Sequence, residues 1–516
     1  MVEQLPVIVV LTPMFAALAV ALVSLWRPSL AFPITMLGLV ITVSATIATL
    51  GQVMAAESHR IVYYLGNWKY ADDGVSPIGI QLVVDGLSGL VLVVIATVSL
   101  LVGIYSLRNA PGVTSGKRHH YYTLFLLLNS GLLGMTITGD AFNVFVLLEV
   151  ASLTSYGLIA MGRSRRGSAA AFNYVIMGTI GASFYLLGVG YLYAATGSLN
   201  MEQIHSILQN SDALQTSPKT VTVAFIMIML GLMVKMAFFP LHGWITNAYS
   251  YSPSASSSVL APLVTKVSVY VMIRMILTVF GPEYAFTGVW IEIVVWLAVI
   301  AIIAGSVFAL AQREFKRMLC YLIVAEVGYM VGGIWLANHW GMVGATYHII
   351  SDAFMTLTLF LAASIIWNKT KNQRITGLDG ILKKMPITMV GLIVAALAMI
   401  GVPPTCGFFS KWYLIRGGIE SGRWEYVVAL LVSSLVNAIL FFRIIEIAYF
   451  GKKPAEGHGH DDDHGEEPAK IDEAPVSSLI ALLAAASGVI LIGVFNRQII
   501  GIITWVLEGA PIVGGS

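Results

Sequence analysis

Apolar stretches long enough to cross a membrane follow one another along almost the whole chain. About fourteen windows of roughly 20 residues qualify. They lie near 5–26, 30–52, 79–106, 121–138, 141–161, 169–194, 220–248, 255–280, 287–311, 317–337, 342–367, 386–415, 424–450 and 475–496. A bilayer core offers no water, so a crossing segment must pair its own backbone N–H and C=O groups, which a helix does internally. The expected fold class is all-α: a polytopic membrane protein of about 14 transmembrane helices. Of the 516 residues, 57% are hydrophobic and only 11% charged, against about 25% charged in a soluble domain. The opening MVEQLPVIVVLTPMFAALAV has no basic n-region and no clear cleavage site, and reads as a retained first helix.

The same composition narrows function. A net charge of +2 makes no case for nucleic acid as a partner. The two cysteines, Cys320 and Cys406, lie in apolar segments and fall short of the four ligands an iron–sulfur cluster takes. There is no phosphate-cradling loop and no dinucleotide fingerprint. No cofactor, metal or redox centre of its own is therefore expected, and any enzymatic role would come through a larger complex.

Loop charges set orientation. Arg108, Lys117 and Arg118 follow the third span, and Arg163, Arg165 and Arg166 the fifth. Arg313, Lys316 and Arg317 follow the ninth; Lys369, Lys371, Arg374, Lys383 and Lys384 the eleventh; Lys452 and Lys453 the thirteenth. The other loops are poor in Lys and Arg, the longer one at 53–78 being the main exception. Loops after odd spans are expected in the cytoplasm, with both termini on the outer face of the cell membrane. The acidic, His-containing stretch EGHGHDDDHGEEPAKIDEAP reads as a solvated cytoplasmic connector. Weak divalent-metal binding by His458, His460 and His464 is the alternative.

Against this apolar background the run GLMVKMAFFPLHGWITNAYSYSPSASSSVLAPLVTKVSVYVMIR places Lys235 inside one span and Lys266 inside the next. Burying an ammonium in a membrane costs from roughly 3 kcal/mol on insertion scales to more than about 10 in simulations. Two so close together need a protein-lined or wet place, unless they snorkel from helix ends. Pro240 breaks the seventh span just past Lys235, and Pro403–Pro404 break the twelfth. Charge beside a broken helix is the layout of an ion pathway.

The charges also recur. Glu149, Lys235 and Lys266 are matched by Glu326, Lys411 and Arg443 at offsets of 177, 176 and 177 residues. Two inverted five-helix repeats follow, spans 4–8 and 9–13, each with one broken helix, 7 and 12. The expected divisions are 1–118 (helices 1–3), 119–281 (first repeat, a proton-translocating half), 282–452 (second repeat), 453–474 (acidic loop) and 475–516 (helix 14 and tail).

Glu149 sits among apolar neighbours; isolation there favours its neutral form, and a lysine beside it favours the ionised one. Glu149 with Lys235 is thus a switch that discharges the lysine when the partners part; a static ion pair is the alternative. Lys235, Lys266, His348 and Lys411 make a line of titratable groups, and His348, titrating near neutral pH, suits a relay or else a packing hydrogen bond. His242, just past Pro240, reads as a gate or as a cap for freed carbonyls. Asp352, one turn from His348, shares its helix face. Glu326 and Arg443 are weaker relay candidates, each able to pair with Lys411 or another neighbour. Asp85 reads as a wet helix-end residue, Arg163 and Arg274 as packing or interface charges.

Several of these stretches resemble the antiporter-like membrane subunits shared by complex I (NADH:quinone oxidoreductase), Mrp cation/proton antiporters and membrane-bound hydrogenases. VDGLSG at 84–89 resembles the family's third helix and LLEVASL at 147–153 the segment bearing its key glutamate. Residues 234–274 resemble its most specific run; FKRMLCYLIVAEVGYM and GVPPTCGFFSKWYLI resemble its tenth and twelfth helices. The resemblance covers roughly residues 80–450, in order and spacing. It implies fourteen helices with inverted repeats, and proton translocation, with or without Na⁺ or K⁺ exchange, among other membrane subunits. Residue by residue it implies a central pair at Glu149 and Lys235, a connector at Lys266, a histidine at His348 and a terminal site at Lys411. The sequence departs from the pattern at Asp352 and Thr356, where a second histidine and a lysine are frequent, and at Glu326, commonly neutral.

Lys411, in place of a glutamate, leans toward the Mrp D-type or hydrogenase-type subunits, so the expected function is that of an Mrp-type proton or Na⁺/H⁺ antiporter subunit. The alternatives are the proton-pumping subunit of a complex I-like oxidoreductase or hydrogenase, and a structural membrane scaffold.

Overall fold

The computed structural model describes residues 4–68, 79–110, 118–162, 165–210, 217–450 and 472–508. Arg163 and nearly all of the acidic His-containing loop lie outside the described residues.

Three helices, α1 (Leu5–Val23), α2 (Ala31–Ala55) and α3 (Gly86–Asn109), open the chain. Between α2 and α3 runs a small antiparallel pair, β1 (Arg60–Tyr64) and β2 (Gln81–Asp85), with Arg60 opposite Asp85. The sequence reading had a loop at 53–78 and put the residues of β2 inside the third span, 79–106. β2 delivers Asp85 to the start of α3, where its carboxylate accepts from the Ser88 N–H at 2.9 Å and its own N–H donates to the Ser88 hydroxyl at 2.8 Å. That reciprocal cap satisfies amides that helix geometry leaves free.

α4 (Arg118–Ile137), α5 (Ala141–Ala160), α6 (Arg165–Thr196), a short amphipathic α7 (Met201–Asn210) and α8 (Pro218–Lys235) follow. α8 stops at Lys235, since Ala237 takes a positive φ of 58° and Pro240 cannot continue the ladder. The chain resumes as α9 (Gly243–Tyr251) and α10 (Ser254–Met275). α8 packs on α6 backbone to backbone: a Cβ on Gly231 would meet the Gly181 carbonyl at 2.6 Å. Small residues let membrane helices approach this closely.

The second half comprises α11 (Gly288–Leu310), α12 (Phe315–Trp335), α13 (His339–Thr370), α14 (Pro386–Ile400), α15 (Cys406–Glu420) and α16 (Trp424–Phe450). α14 and α15 are the two pieces of the expected broken helix, divided at Gly401–Thr405. α17 (Val476–Val494) and α18 (Asn496–Glu508) close the chain.

Among the described residues twelve helices are long and apolar enough to span a membrane. Neither α4 nor the α14/α15 pair is among the twelve; a count of fourteen needs both. α13 sits at the centre, buried along its whole apolar window and packed against α10, α12, α14, α15 and α17. By contrast α2, α6 and α16 expose large apolar side chains, among them Leu37, Phe172 and Leu435, as a lipid-facing surface does.

Candidate functional site

The expected pair exists. Lys235 is the last residue of α8, where unpaired carbonyls favour a cation. Its Nζ lies 3.5 Å from Glu149 Oε1 on α5 and donates to the Ser152 hydroxyl at 2.7 Å. The partners differ in exposure: Lys235 is 3% exposed and Glu149 26%. The carboxylate therefore looks partly out of the bundle while the ammonium looks in.

The other charges cluster, buried, around α13. Lys266 on α10 reaches Asp352 on α13 at 2.8 Å, and both are sealed from solvent. Asp352 also accepts from the Thr356 hydroxyl one turn on, at 2.7 Å. His348 lies one turn before Asp352; its Nε2 is 2.6 Å from Glu326 on α12, and its Nδ1 is 2.9 Å from the Ser410 hydroxyl on α15. Ligating atoms of Glu326, His348 and Asp352 all fall within 4.8 Å of one another. That donor set has metal-ligand chemistry, but a cation there would face the Lys266 ammonium and displace the His348–Glu326 contact. Proton sharing suits it better.

Lys411 follows Ser410 on α15. It donates to the Met399 carbonyl in the last turn of α14 at 2.7 Å and to the Ser434 hydroxyl at 3.0 Å. Its Nζ sits 5.4 Å from the centre of the Tyr329 ring, itself 5.5 Å from the His348 ring. The helix break thus supplies the carbonyl that holds a lysine. In the first half Trp244 takes the equivalent penultimate carbonyl, that of Val234, at 3.0 Å.

Not every expected partnership holds. Of its expected options Glu326 takes a neighbour rather than Lys411, meeting His348 because it faces α13 from α12. Arg443 is exposed on α16 and cannot join Lys411. It lies roughly a third of a turn from the buried stripe Asn437, Leu440, Phe441 and Ile444. Asp85 and Arg274 are not isolated charges: their side chains pair, and Arg274 also donates to the Tyr270 hydroxyl at 2.6 Å. Burial works against the Asp85 charge, but the adjoining Arg274 and the Ser88 bonds outweigh it and hold the carboxyl below its usual range. His242 stands at the N-cap position of α9 without a side-chain capping bond and stacks on Phe239 at 5.1 Å.

Ser152, Thr356, Tyr329, Ser410 and Ser434 were given no partner by the sequence reading, which named Thr356 only as a departure from the family pattern. The first three stand three or four residues from a named carboxylate, so helical spacing alone would have found them. Ser434 carried no such signal.

Comparison with known proteins identifies the family. Residues 138–437 match the family model described as NADH:quinone oxidoreductase/Mrp antiporter, TM. The chain belongs to that family. It is 41% identical over 512 residues to the N subunit of the NADH-quinone oxidoreductase of Desulforudis audaxviator, covering 97% of each. It is 30% identical to the D-type subunit of the Na(+)/H(+) antiporter of Bacillus subtilis, over 75% of this chain and 76% of that one. Among solved structures, a chain of the membrane-bound sulfane sulfur reductase, an archaeal respiratory membrane complex, superposes with TM-score 0.86 at 27% identity, covering 98% and 97%. A chain of the Mrp complex from Dietzia gives TM-score 0.84 at 22% identity, covering 98% and 96%, a likeness of fold alone. The chain is a multi-pass, antiporter-like membrane subunit.

Proposed function

We propose that this chain translocates protons as a membrane subunit of a redox-driven complex of the NADH:quinone oxidoreductase kind, the electrons moving in partner subunits. The expectation of an Mrp-type antiporter gives way on the comparisons: full-length similarity runs to the oxidoreductase relative, whereas similarity to the antiporter relative is lower and covers three quarters of the chain. The observation that carries transport is the buried cluster itself: the Lys266–Asp352 pair, the Glu326–His348–Ser410 chain one turn away on α13, and Lys411 next to Ser410 in sequence. A scaffold has little use for so many ionisable groups where each is costly.

With Lys266 and Lys411 charged and Asp352 and Glu326 ionised, the network is neutral. His348 can then take one further proton, supplied or withdrawn through Glu326 and the Ser410 hydroxyl. Glu149 and Lys235 act as the entry switch: opening their 3.5 Å contact removes the charge that holds the lysine protonated. The loop charges favour odd-loop ends in the cytoplasm and both termini outside the cell membrane. Cation/proton antiport is the second reading, favoured by the similarity to the Bacillus antiporter chain.

Inside-out vesicles holding the chain with its native partners separate the two. Electron donor should drive proton uptake in wild type and not in Lys235→Ala, with Na⁺ or K⁺ alone leaving an imposed pH gradient intact. Collapse of that gradient by Na⁺ or K⁺, lost in Lys235→Ala, would establish the antiporter instead.

A further inference from the structure

A second polar feature lies apart from the relay. A cavity of about 390 Å³ opens where the C-terminal ends of α3 and α13 meet the start of α17. Its lining includes Arg108, Lys369, Asn109, Asn368 and Ser478. Asn368 donates to Asn109 at 3.0 Å, and Asn109 donates to Ser478 at 2.9 Å, so a hydrogen-bonded floor ties the three helices together. Arg108 and Lys369 are exposed, and among the described residues neither is in an ion pair.

Each cation ends a helix whose dipole favours it there. That accounts for each singly but not for their convergence on one cavity, where two like charges, without an ion-pair partner among the described residues, repel. The N-terminal turn of α17 adds positive partial charge to the same place. The cavity sits at the ends of three apolar helices, on the face from which the Lys/Arg-rich loops leave. Leu107, 37% exposed, gives it an apolar rim. Basic pockets between membrane helices on the cytoplasmic side suit anionic headgroups.

We infer that this cavity holds the phosphodiester of an anionic phospholipid from the leaflet on the Lys/Arg-rich face. Arg108 and Lys369 flank the phosphate and an acyl chain runs past Leu107, so the lipid clamps α3, α13 and α17. Its occupant is independent of which ion the relay moves.

The test uses the intact complex with its native partners, exchanged into mild detergent with phosphatidylglycerol or phosphatidylcholine and examined by native mass spectrometry. Wild type should retain a phosphatidylglycerol that Arg108→Gln/Lys369→Gln loses, should retain no corresponding phosphatidylcholine, and should resist millimolar inorganic phosphate. Both substituted residues are exposed, and an unchanged subunit composition would show that the variant assembles. Equal retention by wild type and variant would overturn the inference. Displacement by inorganic phosphate would overturn it too, assigning the cavity to a free anion.

Discussion

Most of the charged residues that matter were visible individually in the sequence, because an ionisable side chain in an apolar span announces itself. Lys235, Lys266, His348, Asp352 and Glu326 all end up buried or at the bundle interior, and Glu149 reaches Lys235 as expected. Their partners were less legible. Asp352 meets Lys266 from a residue 86 positions away, and Glu326 takes His348 rather than Lys411. Such choices depend on how helices rotate against one another, which charge spacing does not encode. Arg443 shows the same limit, since the offset that matched it to Lys266 ignored which side of α16 it occupies. The Asp85–Arg274 pair, at the membrane edge, gives a residue-scale prediction. Its carboxyl is held below the ordinary value of 3.8, so the folded state binds fewer protons than the unfolded one near that pH. The pair's contribution is then fully present above 3.8 and is lost as pH falls through the folded value. Thermal unfolding of wild type and Asp85→Asn should differ most near neutral pH, wild type being more stable, and converge below about pH 4. A gap that holds or widens in acid would contradict this.

At the scale of elements, the breaks in the seventh and twelfth spans were legible because proline cannot continue a helix. Their placement relative to the lysines was not. Lys235 closes the half-helix before its break, whereas Lys411 lies in the half-helix after it, so an offset of 176 residues does not carry one break onto the other. The β1–β2 pair, α7 and α18 were missed because short amphipathic or extended pieces leave no signal in a window tuned to membrane spans. The α14/α15 break depends on close packing at Gly407, where a Cβ would collide with the Ala398 carbonyl oxygen. That contact is backbone, and no side chain can swing aside to relieve it. Gly407→Ala should therefore push α15 and Lys411 off the Met399 carbonyl, lower the melting temperature by several degrees and cut proton transport at least tenfold. Gly501→Ala on α18, where a Cβ meets nothing within 4 Å, should leave both unchanged. Equal behaviour of the two variants would show that the break tolerates rearrangement.

For the whole molecule, the sequence was most informative about class, since the membrane admits so few ways to satisfy a backbone. It was least informative about the complex, because an apolar outer surface suits lipid and a neighbouring membrane helix alike. The lean toward an Mrp-type subunit rested largely on Lys411, and similarity along the full length moved the reading to a redox-driven complex. What unites both readings is that buried ion pairs move protons instead of fixing helix packing. Removing one member separates these poorly: Lys266→Ala strands Asp352, and a stranded buried charge costs about 3–5 kcal/mol whatever its role. Replacing both partners with apolar residues of similar size is often neutral for stability. The decisive measurement is donor-driven proton uptake by inside-out vesicles carrying Lys266→Met/Asp352→Leu in the assembled complex. The account predicts a complex of normal composition and normal electron transfer to an artificial acceptor, with proton uptake by this subunit abolished. Full uptake in that variant would make the pair a structural fixture and contradict the account.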